Sequence, residues 1–170
     1  MMLGMSLQTF TIVHTAISLI GIASGLVVAY GLIGGKRLGK WTPLFLLTTV
    51  LTSVTGFMFP FEHLLPSHKV GMISLAVLAL CLLALYAFHL QGGWRRTYVV
   101  TAMIALYLNC FVLVAQLFMK VPALHAMAPT GSEPSFLITQ VVLMAIFVWL
   151  SIAAVKGFRS EAVQPIRRAA

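Results

Sequence analysis

Residues 98–119 read YVVTAMIALYLNCFVLVAQLFM, a run without a charged side chain, entered through Trp94-Arg95-Arg96 and left through Lys120. A helix rises about 1.5 Å per residue and a bilayer core is about 30 Å thick, so about 20 apolar residues are needed to cross it. The run meets that length. Its apolarity is continuous and does not alternate, which selects a helix over a barrel strand. Four further runs share the pattern: Phe10 to Ile33, Pro43 to Phe59, Val70 to Leu90 and Phe136 to Val155. Together the five predict an all-α, polytopic membrane protein, a five-transmembrane-helix bundle making a single integral membrane domain over residues 1–170. The second run begins at a proline, stops before Pro60 and is the shortest.

Composition supports the same class. The chain is 61% hydrophobic, 8% charged and free of aspartate, whereas soluble domains carry roughly a quarter charged residues. Its 170 residues suffice for one bundle with no separate soluble domain.

Basic residues set the expected orientation. Lys36, Arg37 and Lys40 follow the first run, Arg95 and Arg96 precede the fourth, and Lys156, Arg159, Arg167 and Arg168 follow the fifth; the opposite side holds only Lys69 and Lys120. Positive residues concentrate on the cytoplasmic side, so the amino terminus is expected outside and the carboxyl terminus inside, in a bacterial inner membrane. The net charge of +8 then points to anionic lipid headgroups on the cytoplasmic side and not to nucleic acid. No Lys or Arg precedes Phe10, so the first run reads as a mature helix and not as a signal peptide. Trp41, Trp94, Tyr30 and Tyr98 flank the inner ends of the runs and predict an interfacial belt.

Polar residues within the runs fall on stripes. Thr11, His14, Ser18, Gly21 and Gly25 recur every three or four residues, which places them on one helix face, with Gly21 and Gly25 suited to close backbone approach. In the second run Thr48, Thr49, Thr52, Ser53 and Thr55 form a broad hydroxyl face whose side chains are expected to bond the carbonyl one turn back. Tyr98, Ala102, Ala105, Asn109, Gln116 and Lys120 share a face of the fourth run, and Gln140, Phe147, Ser151 and Ala154 one of the fifth. Amides in hydrocarbon need partners, so both faces should look inward, and Asn109, Gln116 and Gln140 are expected to form an interhelical network. Burying a charged imidazole is costly, so His14 should be neutral and bonded to a neighbour such as Gln116 or a second-run threonine.

The topology gathers His14, His63, His68 and His125 at the outer side, with His89 at the inner boundary. A weak internal echo pairs His14, Ile17, Ser18 and Leu19 with His68, Ile73, Ser74 and Leu75. One function class is a redox site in which His14 and His68 clamp one b-type haem, or a quinone sits beside them. The candidate cofactor-binding residues are His14, His68, His63, His125, Gln116, Gln140 and Asn109. A second class is copper binding by His63, His68, His125 and Met127, since imidazole and thioether suit that metal. A third is a carrier for a small uncharged solute along the polar face of the fourth run, and a fourth is a non-catalytic accessory subunit of a larger membrane complex or homo-oligomer. Hydrolytic and nucleophilic catalysis find no support: aspartate is absent, and neither a Ser-His-Asp set nor a phosphate-cradling glycine loop is present. Cys81 and Cys110 lie within runs and read as apolar filling.

Overall fold

The computed structural model describes residues 4–59 and 66–158. Among them the chain is helical, without strands: α1 (Leu7–Ile33), α2 (Trp41–Gly56), α3 (Pro66–Leu82, prolonged by a π-helical turn over Leu83–Ala87), α4 (Trp94–Lys120), α5 (Pro122–Met127) and α6 (Pro134–Gly157). Four stretches are long and apolar enough to cross a membrane, namely α1, α3 with its π turn, α4 and α6, while α2 at 16 residues is shorter.

Local chemistry explains where the helices begin. Ser6 caps α1, its hydroxyl accepting the Thr9 amide at 3.1 Å, so this helix starts before the apolar run does. Pro122 and Pro134 occupy first-turn positions of α5 and α6, where the missing N–H costs nothing. The segment between α4 and α6 therefore contains a short helix. α3 ends in the π turn, and His89 and Leu90 follow with φ of 46° and 60°, a left-handed corner that L side chains rarely adopt. Beyond it Phe88 stacks on Trp94, ring centroids 3.9 Å apart and planes 2° from parallel.

Successive long helices run antiparallel. One end of the bundle, called the upper end, holds the starts of α1, α3 and α6 with the ends of α2 and α4; Gly56, Lys120 and α5 are there. α1 to α4 pack as neighbours, and α6 lies against α4 and α1. The apolar core fills the lower half: Leu32, Phe45, Leu78, Met103 and Leu106 are all nearly inaccessible. Tyr98 is completely buried there as well, so of the expected belt it alone belongs to the interior, while Tyr30 and Trp41 are exposed. The hydroxyls of Tyr98 and Thr42, both buried at this end, have no hydrogen-bond partner among the described residues.

The glycine face of α1 is a tight contact, as its pattern implies. A Cβ on Gly25 would lie 2.5 Å from Leu106 Cδ1 and 2.8 Å from the Phe45 ring, and one on Gly21 would lie 3.2 Å from Thr48 Oγ1. A second backbone contact closes the lower end, where a Cβ on Gly157 of α6 would overlap the Ile33 carbonyl, 2.7 Å from its carbon. The inward face of α6 is the one read from sequence: Gln140, Phe147 and Ala154 are its buried residues.

Candidate functional site

In the upper half, α1, α2, α3 and α4 enclose a cavity of about 90 Å³. His14 and Ser18 come from α1, Thr52 and Ser53 from α2, His68 and Ser74 from α3, and Asn109 from α4, with Phe57 and Gly71 completing part of the wall. The hydroxyl-rich face of α2 makes this possible. Thr48, Thr49 and Thr55 donate to the carbonyls of Leu44, Phe45 and Leu51 at 2.7, 2.7 and 2.6 Å, so their polar atoms are satisfied within the helix and leave lone pairs facing neighbours.

Three links tie the helices together around the cavity. His14 Nδ1 is 2.8 Å from Thr55 Oγ1, Ser18 Oγ donates to Thr52 Oγ1 at 3.4 Å, and Ser53 Oγ donates to Ser74 Oγ at 3.1 Å. Aromatic rings cover the upper side. Phe59 meets His14 edge to face at 5.2 Å and Phe10 at 5.0 Å, while Phe57 lies 5.7 Å from the ring of His68 and sits on Gly71, where a Cβ would come within 3.0 Å of it. His68 is 3% exposed. Toward the lower end the cavity stops at the apolar core, because Ala105, Ala102 and Tyr98 of the α4 stripe are packed without space.

Of the residues expected at a site, His14, His68 and Asn109 meet at this cavity. His125 and Met127 are exposed on α5 and line none of it; His63 lies outside the described residues. Among the described residues no three His, Cys, Asp or Glu side chains come close enough to hold a metal ion. The expected amide network does not form: Gln140 Nε2 donates to the Phe111 carbonyl at 3.2 Å, its Oε1 is unpartnered, and so is Asn109 Nδ2, which lies beside Gly21, Thr48 and Thr49. The buried amide atoms of Asn109 and Gln140 are not joined by a hydrogen bond. Gln116 is half-buried and outside the cavity. The covering role of Phe57 and Phe59 had no distinguishing signal in a chain so rich in apolar residues, whereas Ser74 was marked by the echo between His14–Ser18 and His68–Ser74.

At the upper end Glu133 organises the turn before α6. The backbone N–H of Thr130 at 2.9 Å, with the Thr130 hydroxyl at 2.9 Å and the Ser132 N–H at 3.0 Å, holds its carboxyl below the usual carboxylate range.

Comparison with known protein families, with characterised proteins and with solved structures finds no match. The site is therefore read from its own geometry. Pockets for drug-sized ligands measure roughly 300–1,000 Å³, and this cavity, at about 90 Å³, is small beside them. The expectation of haem or quinone finds no support in it. Among the described residues the lining offers imidazole nitrogens, hydroxyls and an amide but no carboxylate, lysine or arginine, a set suited to hydrogen-bonding a small neutral guest.

Proposed function

We propose that this chain is a five-span protein of a bacterial inner membrane, amino terminus outside and carboxyl terminus cytoplasmic, which binds a small polar molecule in a pocket near the outer face, entered past Phe57 and Phe59. α2 serves as the fifth span: its 16 residues cover roughly 24 Å at 1.5 Å each, a modest mismatch of the kind bilayers absorb by thinning. The basic side chains Lys36, Arg37, Lys40, Arg95, Arg96 and Lys156 then face anionic headgroups. The observation that carries the reading is the cavity itself, because His14 and His68 come from different helices yet line one space. Polar groups in hydrocarbon are costly unless they serve or satisfy something.

The test is one-sided labelling. In a Cys81→Ala, Cys110→Ala background, Ser18→Cys should react with a small impermeant thiol reagent added outside intact spheroplasts, while Ala105→Cys should not react from either side. Reaction of Ser18→Cys from the cytoplasmic side alone would overturn the orientation, and none from either side would overturn the open pocket.

A further inference from the structure

We infer that the molecule held in this pocket is a neutral hydrogen-bond donor of amide or urea type, which donates to Nε2 of His14; the inference rests on the pocket reading above. It starts at Thr55. A threonine hydroxyl has one hydrogen, and Thr55 directs it down its own helix, 2.6 Å from the Leu51 carbonyl oxygen and 3.3 Å from that of Thr52. The 2.8 Å contact between Thr55 Oγ1 and His14 Nδ1 must then draw its hydrogen from the imidazole. His14 is thereby fixed as the Nδ1–H tautomer, and in the neutral ring Nε2 keeps its lone pair. No described residue donates to Nε2, and it is not among the sealed, unpartnered atoms. His14 thus brings a fixed acceptor to a cavity also lined by the hydroxyl residues Ser18, Thr52, Ser53 and Ser74.

Charge and size narrow the guest further. Among the described residues no carboxylate, lysine or arginine lines the space, and an ion held by these residues alone would lack a counter-charge, at the high cost such burial carries. The space is also small, about 90 Å³ against roughly 300–1,000 Å³ for pockets that hold drug-sized ligands, so the guest is a small solute. A small primary amide meets both demands: its N–H donates to Nε2, and its carbonyl accepts from a hydroxyl.

Acetamide and acetone have the same heavy-atom count and the same carbonyl, but only acetamide donates, so the pair isolates the proposed bond. With ¹⁵N-histidine-labelled protein in detergent, His14 should show a protonated Nδ1 and a bare Nε2. Acetamide should shift the Nε2 resonance saturably; acetone should bind at least tenfold more weakly, and His14→Phe should lose the acetamide response. An Nε2–H tautomer, equal responses to the two solutes, or a linear response without saturation would overturn the inference. If Ser18→Cys labels from outside while acetamide gives no saturable shift, the guest class falls and the pocket stands. Failure of the labelling itself removes the pocket reading.

Discussion

Replacing Gly157 by alanine probes how the last helix is fastened to the first. A Cβ there would lie 2.7 Å from the Ile33 carbonyl carbon and 3.1 Å from its Cα, with the carbonyl oxygen nearer still. Carbon atoms pack at about 3.5–4.0 Å, so the helices must separate by roughly 1 Å. The obstruction is backbone on both sides, and no side chain can rotate away. Overpacking costs about 1–3 kcal/mol, and this geometry belongs at the upper limit of that range. For a domain of this size about 3 kcal/mol corresponds to roughly 6–12 °C in Tm. Alanine is otherwise the better helix former by about 0.5–1 kcal/mol, so the sign of the effect is diagnostic. Thermal unfolding in detergent should show a clear drop for Gly157→Ala and none for Gly39→Ala, whose Cβ meets nothing within 4 Å. An unchanged or raised Tm for Gly157→Ala would mean that α6 does not end against Ile33.

Gly25→Ala should also lower stability, by about 1–3 kcal/mol, since the new methyl meets Leu106 at 2.5 Å and the Phe45 ring at 2.8 Å; an unaffected melting curve would turn that face of α1 toward lipid. Tyr98→Phe should preserve or raise Tm, because the hydroxyl it removes is buried and unpartnered and such groups cost about 1–3 kcal/mol. A marked fall would reveal a partner for that oxygen, with Thr42 the nearest candidate. Glu133, with its carboxyl held below the usual range, keeps its turn ordered at neutral pH and loses that contribution as acid protonates it, because the folded-state pKa is the lower one. The Thr130 and Ser132 amide resonances should titrate together on acidification and stay fixed in Glu133→Gln.

The sequence was most legible where periodicity and burial coincide. Gly21 and Gly25, the inward residues of α6 and the self-satisfied threonines of α2 all follow from helical spacing plus the cost of bare polar groups in an apolar medium. His14 found a second-run threonine as its partner, and His68 joined it at one cavity. What stayed hidden depended on exact distance or on side chains that look alike in sequence. Phe57 and Phe59 are two of eleven phenylalanines, with nothing local to mark them as a cover. Gly157 after Lys156 reads as an ordinary helix stop, and its close approach to Ile33 exists only in three dimensions. Gln140 lies on the predicted face, yet its reach ends at a carbonyl of α4, a choice that spacing does not encode. The size of the cavity is likewise a property of packing and not of pattern.

The clasp between Gly157 and Ile33 has a consequence for biogenesis. These residues are 124 positions apart, so at about 5–20 residues per second the lower end of α1 waits roughly 6–25 s for its partner to leave the ribosome. The pocket does not wait, because the described residues that line it all lie between His14 and Val112. A nascent chain halted before Pro134 already carries the described lining of the cavity, and α6 arrives as the final latch on helices that have already met.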